Sequence, residues 1–470
     1  MLNAADENFA ARLEMVSPGA RVTDVAPYLE EPRGRWAGQG VVVAPRSTED
    51  VSRIVSLAAE ARVGIVPYSG GTGLVGGQIV ESGPAPLILS MQRMAAIRQT
   101  YPLENVLVAE AGAVLADIRA AAEAINRLFP LSLASSGSAR IGGLLATNAG
   151  GINVLRYGMA RAQCLGVEAV LADGTIWNGL TRLRKDNAGY DMRDLLIGSE
   201  GTLGIITAAA LRLSPVPGSV ATAFLEVPSP QAALDLLALC GDRLGEAVSA
   251  FELISGAGAK FLQEVGPEVQ LPISPLPDWS VLLEVGLPGG GSAQDAVEGA
   301  FEGALEAGIV RDGIIASSEG QRQALWHLRE ALPEANRRIG AVSSHDISLP
   351  LSEIPGFIDR APAELARIGE FRINCFGHVG DGNLHYNVFP MPGRSRADHE
   401  GDREAIKRCV HDMVAARGGS VAAEHGVGRL KVEDLERYAD PAKLTMMRAV
   451  KTALDPRGIL NPGAVLAQRC

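Results

Sequence analysis

The sequence predicts an α+β fold with two main domains and a helical C-terminal segment. Its 470 residues exceed the usual size of one domain. Strand and helix patterns alternate along the chain, and the segment 214–218 (Ser-Pro-Val-Pro-Gly) has the composition of a domain boundary. Clusters of glycine interrupt these patterns at the positions where functional loops on a rigid scaffold are usually found. We therefore expect the first domain at 36–214, the second at 215–400 and the C-terminal segment, packed back on the first domain, at 401–470.

The first domain begins with short β-rich runs that alternate with helical patterns. Ser47-Thr48-Glu49-Asp50 has the pattern of a capping box and predicts that a helix begins there and continues to residue 62. A second helical pattern covers residues 113–128. The predicted strands are 41–44, 65–67, 87–90, 106–110, 167–171 and 205–211.

The second domain contains two strand–helix–strand passes, which predict an open-faced antiparallel sheet. Its predicted strands are 221–227, 250–254 and 281–285, and its helices are 230–243, 293–307 and 317–339. Pro333 is expected to bend or interrupt the last of these helices. The late helices are expected at 398–416 and 442–454.

The charge balance excludes several classes of protein. There are 43 basic and 54 acidic residues, a net charge of −11, which argues against a nucleic-acid binder or a polybasic membrane-surface protein. The longest early uncharged stretch, 63–80, is rich in glycine and does not predict a membrane span.

The N-terminal residues lack the pattern of a targeting peptide, so a cytoplasmic location is expected. A homodimer is expected from base rates alone.

The cysteines are scattered and form no CxxC pair, which predicts free thiols in a reducing compartment. They are Cys164, Cys240, Cys375, Cys409 and Cys470.

A glycine-rich segment follows the strand predicted at 65–67. Residues 67–77 read PYSGGTGLVGG, and glycines at such positions let the backbone approach a diphosphate closely. The pattern is neither the GxGxxG of a dinucleotide-binding βαβ unit nor a P-loop. Alone, this segment is equally compatible with a flexible surface turn. Further glycine segments follow at 135–143, 147–151, 156–158 and 198–207.

Two segments carry histidines in patterns that suggest a metal and a base. His378 and His385 are seven residues apart, and Gly380 and Gly382 allow the chain to turn and bring both imidazoles to one point. With Glu424 they form a two-histidine, one-carboxylate set that suits zinc, manganese or ferrous iron. Hydrogen-bonded histidines in a glycine turn are the ordinary alternative. His425 is next to Glu424, and a neutral imidazole can accept a proton from an alcohol.

These residues together imply the oxidation of an alcohol that also chelates a metal. A bound metal lowers the pKa of the alcohol, and the hydride at the carbon must pass to a cofactor because no side chain can accept it. A 2-hydroxy acid fits, since its hydroxyl and carboxylate can close a five-membered chelate.

The glycine segments, in their order and spacing over about 36–214, resemble the FAD-binding domain of the vanillyl-alcohol oxidase and p-cresol methylhydroxylase (PCMH) superfamily. The resemblance implies that residues 69–74 hold the FAD pyrophosphate and that the later loops surround the ribityl chain and the isoalloxazine. Thr72 stands where some members carry a histidine bonded to the flavin, so non-covalent FAD is expected. The implied FAD-binding residues are Pro67, Tyr68, Ser69, Gly70, Gly71, Thr72, Gly73, Leu74, Ser135, Gly137, Ile141, Gly142, Gly143, Thr147, Asn148, Gly150, Gly151, Tyr157, Gly158, Glu200, Gly201, Gly204, Ile205, Ile206 and Asn461.

The second half resembles the FAD-linked D-2-hydroxyacid dehydrogenases through GHVGDGNLH, EHGVG and the closing Asn-Pro-Gly at 461–463. TNAGG, RYG and KDNAGYD (185–191) are most similar to the D-2-hydroxyglutarate branch. The resemblance implies metal ligation by His378, His385 and Glu424, and a general base at His425 that removes the hydroxyl proton as hydride passes from C2 to flavin N5. It implies substrate binding by Arg329 and Asn387, besides the two histidines. Without its place in this motif, Arg329 is more typical of a helix-surface arginine.

Two departures from that branch leave the substrate open. Pro333 stands where the branch has threonine, and Ser344 where it has lysine, which weakens the case for a second substrate carboxylate. His345 could replace some of that charge or be structural. D-2-hydroxyglutarate is expected, with D-lactate, D-malate or glycolate as alternatives. A non-catalytic FAD-fold subunit is less favoured because both histidine segments are intact. The expected electron acceptor is an electron-transfer flavoprotein or a quinone, not NAD or O2.

Overall fold

The computed structural model describes residues 1–34 and 36–468, which form two compact units. The helices are α1 (Glu7–Val16), α2 (Ala26–Leu29), α3 (Thr48–Ala61), α4 (Leu115–Glu123), α5 (Ile141–Ala146), α6 (Val154–Tyr157), α7 (Met192–Leu196), α8 (Pro230–Leu244), α9 (Gly256–Val265), α10 (Ala293–Glu306), α11 (Glu319–Ile339), α12 (Ile354–Leu365), α13 (Arg403–Ala415), α14 (Val432–Tyr438) and α15 (Pro441–Leu454).

The strands are β1 (Val41–Val43), β2 (Ile65–Tyr68), β3 (Leu87–Ser90), β4 (Ile97–Tyr101), β5 (Val106–Glu110), β6 (Arg127–Leu128), β7 (Cys164–Val170), β8 (Ile176–Gly179), β9 (Ile205–Arg212), β10 (Ser214–Pro215), β11 (Ser219–Glu226), β12 (Val248–Ser255), β13 (Trp279–Leu287), β14 (Asp312–Ile315), β15 (Ser343–Ser348), β16 (Phe371–Gly377) and β17 (Asn383–Pro390).

Of the described residues, the first unit comprises 1–34, 36–150, 158–215 and 424–468. It contains a parallel sheet of order β1-β3-β2 and an antiparallel sheet of order β4-β5-β9-β7-β8. The α3 helix begins as predicted, because the Ser47 side chain accepts a hydrogen bond from the Asp50 N–H at 3.1 Å. The helix predicted at 113–128 is shorter than expected: α4 ends at Glu123, Asn126 adopts a positive φ of 54°, and β6 then pairs with β10.

The second unit comprises residues 151–157 and 216–423. Among the described residues its sheet has the order β14-β11-β13-β12-β16-β17-β15, with antiparallel pairing throughout. The antiparallel sheet is confirmed, but it is not open on one face. One face packs on residues of α8, α10, α12 and α13, and the other packs on residues of α9 and α11. Pro333 lies inside α11, which continues to Ile339.

The boundaries of the two units differ at three places from the domain boundaries predicted from the sequence. Residues 1–34 join the first unit, where Phe9 and Leu13 of α1 pack in its core. Residues 151–157 belong to the second unit. Residues 401–423 also belong to it, because the apolar face of α13 (Ile406, Val410 and Val414) is buried in the core of that unit. The C-terminal segment is therefore divided between the two units.

The described cysteines are free thiols, as expected. Burial raises the pKa of Cys164, Cys240 and Cys375 to about 12, so these thiols are neutral at physiological pH. Cys470 lies outside the described residues. Across residues 1–34 and 36–468, every helix is too short or too polar to cross a membrane.

Candidate active site

The first unit contains an open cavity of about 960 Å³ beside the loop that follows β2. Most of the residues predicted to bind a cofactor line this cavity. They are Pro67, Tyr68, Ser69, Gly70, Gly71, Thr72, Gly73, Gly142, Gly143, Thr147, Glu200, Gly201, Gly204, Ile205, Ile206 and Asn461. Nine further residues that line it were not predicted to bind the cofactor: Val75, Gly77, Gln78, Met91, Arg140, Leu144, Ala146, Leu196 and Ser199. His425, predicted as the base, lines the same cavity.

Several other predicted cofactor residues lie outside this lining. In the first unit these are Leu74, Ser135, Gly137, Ile141, Asn148, Gly150 and Gly158. Gly151 and Tyr157 belong to the second unit, where the neighbouring Arg156 donates to the Gly286 carbonyl at 2.6 Å.

The loop after β2 packs too closely on its neighbours to carry larger side chains. A Cβ on Gly70 would lie 2.5 Å from the Ser138 carbonyl oxygen. The Ser69 hydroxyl accepts a hydrogen bond from the Gly143 N–H at 3.0 Å, and the Gln78 amide donates to the Gly73 carbonyl at 2.9 Å. These contacts fix a glycine-rich backbone at the cavity wall, the arrangement that suits a diphosphate.

Glu200 holds the loop that carries His425. Its Oε1 accepts a hydrogen bond from the Val427 N–H at 2.7 Å, and its Oε2 accepts one from the Gly428 N–H at 2.8 Å. Burial raises the pKa of Glu200, although these two hydrogen bonds oppose the rise. The Asn461 side chain donates to the Glu200 carbonyl at 2.8 Å. The glutamate therefore fixes the backbone two and three residues after His425.

Arg429 joins the same loop to the rest of the first unit. Its guanidinium donates to the Asn461 side chain at 2.8 Å and to the Gly76 carbonyl at 3.1 Å. Burial lowers the pKa of Arg429 to about 10. The sequence analysis missed this arginine because its partners lie far away in the chain.

In the second unit, strand register places the predicted residues on one face of the sheet. Asn387 and His385 are two residues apart on β17, so they share a face. Their partners on β16 are Asn374 and Phe376. Phe376 is part of the cluster that packs on α11, the helix that carries Arg329. The face between the sheet and α11 is therefore the site face of this unit.

The turn predicted between the two histidines is present. The chain leaves β16 at Gly377, makes a short 3₁₀ turn and returns as β17. Gly382 takes a φ of +86°, and a Cβ there would lie 2.5 Å from the Leu349 carbonyl oxygen. As a result the His378 and His385 ring centroids are 5.5 Å apart.

A buried glutamate that the sequence analysis missed links the predicted metal and substrate residues. Glu252, on β12, is fully buried. One carboxylate oxygen contacts His378 Nδ1, and the other accepts from Arg329 Nε at 2.6 Å. Burial alone would raise the pKa of Glu252, but the Arg329 charge and the hydrogen bonds from Arg329 and His378 lower it to about 2. Arg329 is itself buried, and its guanidinium lies 4.8 Å from the Phe376 ring centroid. It is therefore not a helix-surface arginine.

The row of side chains that runs through Asn387 across three strands is uncharged. Asn387 is paired in register with Ser344 on β15 and with Asn374 on β16. Asn374 donates to Asn336 of α11 at 2.8 Å and accepts from the Ser255 hydroxyl at 2.9 Å.

His345 does not replace the missing charge on this face. It lies one residue out of phase with Ser344 on β15, so it points to the opposite face of the sheet. There its ring packs 5.1 Å from the ring of His411 on α13.

Glu424 and His425 belong to the first unit. Ala423, the last residue of the second unit, donates its N–H to the Asp346 carbonyl at 3.3 Å. Asp346 is paired with His385 across β15 and β17. The second unit thus ends beside β15, the strand that pairs with the His385 strand, and Glu424 is the next residue of the chain.

Comparisons with known proteins place a domain boundary at the same position, residue 216. Residues 40–179 match the model of an FAD binding domain, and residues 216–465 match the C-terminal domain of FAD linked oxidases. The chain is 39% identical to the mitochondrial D-2-hydroxyglutarate dehydrogenase of Bos taurus, over 99% of this chain and 84% of the relative.

The D-2-hydroxyglutarate dehydrogenase of Xanthomonas citri pv. viticola is 34% identical, over 96% of this chain and 95% of the relative. The chain belongs to the FAD-linked oxidase family. It is an FAD-binding flavoprotein and an FAD-linked dehydrogenase.

A solved structure supports the fold of this family member. p-Cresol methylhydroxylase with substrate bound matches with a TM-score of 0.78 at 16% identity, over 99% of this chain and 98% of the other. The fold is therefore the vanillyl-alcohol oxidase and PCMH type, as predicted.

Proposed function

We propose that this enzyme oxidises a D-2-hydroxy acid to the 2-oxo acid with the help of a divalent cation. The observation that carries the proposal is the Glu252 carboxylate, which joins His378 to Arg329 on the site face. An imidazole suited to a metal and a guanidinium suited to a carboxylate therefore lie side by side. D-2-hydroxyglutarate is the first candidate substrate because the relatives above carry its name.

Each residue in this proposal has one task. Arg329 binds the C1 carboxylate of the acid, and Asn387 contacts the substrate nearby. His425, held in the cavity wall by the loop that Glu200 anchors, accepts the hydroxyl proton. FAD, bound without a covalent link, supplies the hydride acceptor.

We propose His378, His385 and Glu424 as the ligands of the cation. The 5.5 Å separation of the two imidazole centroids supports the histidine part of this set, and Glu424 completes it. A bound cation lowers the pKa of the substrate hydroxyl. Zinc is the first candidate because two histidines and a carboxylate are a common catalytic zinc set, with manganese and ferrous iron as alternatives.

A second candidate substrate follows from the uncharged row Ser344–Asn387–Asn374. This row contains no positively charged side chain, so a second carboxylate on the substrate has no charged partner there. This favours a short monocarboxylate, D-lactate or glycolate, over D-malate and D-2-hydroxyglutarate. We also propose that a protein or quinone carrier reoxidises the flavin.

Anaerobic flavin bleaching tests the proposal. The purified enzyme is mixed with D-2-hydroxyglutarate, D-malate, D-lactate or glycolate, with and without a chelator. We expect fast bleaching by one acid and slow bleaching after chelation. Full turnover in the chelated enzyme would contradict the metal assignment, and no bleaching by any acid would contradict the reaction class.

The base is tested with His425→Ala, and His327→Ala is the matched control because His327 is an exposed histidine on α11. Bleaching should slow only in the first variant. An unchanged rate in His425→Ala would remove His425 from the mechanism.

A further inference from the structure

We infer that Glu252 is the positioning residue of this active site, and that it sets the orientation of both His378 and Arg329. This inference rests on the proposed function, because it assigns to the glutamate the task of preparing a metal ligand and a carboxylate-binding group. Glu252 is on β12, more than 70 residues away from either partner in the chain.

The contact with His378 determines which ring nitrogen can bind a metal. A carboxylate is a hydrogen-bond acceptor, so the imidazole nitrogen that it contacts, Nδ1, is the donor. The lone pair of a neutral His378 is then on Nε2. A carboxylate at the second nitrogen of a ligating histidine fixes the ring and makes it a better ligand.

The contact with Arg329 determines which edge of the guanidinium faces a substrate. Its Nε–H is directed to Glu252 at 2.6 Å, and the guanidinium lies 4.8 Å from the Phe376 ring centroid. Bidentate binding of a substrate carboxylate must then use the Nη1 and Nη2 end. Because one carboxylate orients both groups, the spacing between metal and substrate carboxylate depends on Glu252.

The same sheet face provides a matched control. Glu284, on the neighbouring strand β13, also accepts a hydrogen bond from an arginine of α11, Arg322, at 2.9 Å. It also accepts one from the Trp326 indole at 2.7 Å. Glu284→Gln therefore disturbs a glutamate–α11 contact of the same kind without touching the two histidines.

The experiment measures metal affinity and flavin reduction separately. FAD-loaded wild type, Glu252→Gln and Glu284→Gln are stripped of metal and titrated with Zn²⁺ and with Mn²⁺. We expect Glu252→Gln to bind the metal about 10–100-fold more weakly than wild type, the usual effect of removing such a partner. Glu284→Gln should bind it as wild type does. In flavin reduction, Glu252→Gln should raise KM and lower kcat together.

Two further variants keep the test valid if Glu252→Gln does not fold. Glu252→Gln/Arg329→Gln removes both buried charges and should still lose metal affinity. Arg329→Gln alone should keep metal affinity and raise KM. Metal binding by Glu252→Gln or the double variant that equals wild type would overturn the inference, as would a wild type that binds neither metal. A wild type that binds metal but is reduced by no 2-hydroxy acid would instead refute the proposed function, while the metal titration still decides the role of Glu252.

Discussion

The buried ion pair between Glu252 and Arg329 makes the stability of the protein depend on pH, and the size of this dependence can be calculated. The pKa of Glu252 is lowered from its ordinary 4.5 to about 2. A shift of one pKa unit corresponds to about 1.4 kcal/mol. The ionised carboxylate therefore contributes about 3 kcal/mol to the free energy of unfolding at pH 7. Breaking a buried ion pair by removing one partner typically costs about 3–5 kcal/mol, which agrees.

The sign follows from the direction of the pKa shift. Because the folded pKa is below the unfolded one, the contribution is complete above pH 4.5 and is lost as the pH falls towards 2. Glu252→Gln should therefore destabilise the protein by about 3 kcal/mol at pH 7 but only by about 1.5 kcal/mol at pH 3. The double variant Glu252→Gln/Arg329→Gln should lose less than the single variant, since it leaves no unpaired buried charge.

Urea unfolding followed by circular dichroism, at pH 7 and at pH 3, measures both differences. A destabilisation of Glu252→Gln that is the same at the two pH values would refute the reasoning. It would show that the loss comes from packing and not from the charge of the carboxylate.

Three further predictions concern the two units. Gly70→Val should lower FAD occupancy at least about tenfold, because a Cβ there meets the Ser138 carbonyl at 2.5 Å; normal flavin content in the purified variant would contradict this. Glu200→Gln should keep FAD and slow flavin reduction about tenfold, because it loses one of the two acceptors that hold the His425 loop; an unchanged rate in stopped flow would rule out that role. Arg329→Lys should raise KM about tenfold, because an ammonium cannot keep both the Glu252 contact and a bidentate grip; an unchanged KM would show that Arg329 does not bind substrate.

The features that could be predicted from the sequence are those with a local signature. The Ser47 cap, the glycine loop after β2 and the turn between His378 and His385 each depend on residues close together in the chain. β4 and β8 were missed because they are short, half-exposed strands with few apolar residues, although each pairs with the adjacent strand of the chain. The division of the C-terminal segment was missed because only packing shows which core receives the apolar face of α13.

The residues that support the site could not be predicted in the same way. Glu252 contacts His378 across 126 residues of chain, and Glu200 contacts Val427 across 227. In the sequence, Glu252 is one glutamate between apolar residues of a strand, and nothing near it indicates a histidine partner. Residues of this kind are found from strand register and side-chain contacts. The sequence motifs contain only the residues that Glu252 and Glu200 hold in place.

We propose that this enzyme transfers a hydride from C2 of a D-2-hydroxy acid to its flavin. Stopped-flow flavin reduction with the two enantiomers of 2-hydroxyglutarate and of lactate, each with hydrogen or deuterium at C2, tests it most directly. We predict that only a D-acid reduces the flavin, and that deuterium at C2 slows the reduction. Reduction by the L-enantiomers at the same rate, or a D-acid reduction that deuterium leaves unchanged in the presence of saturating metal, would contradict it.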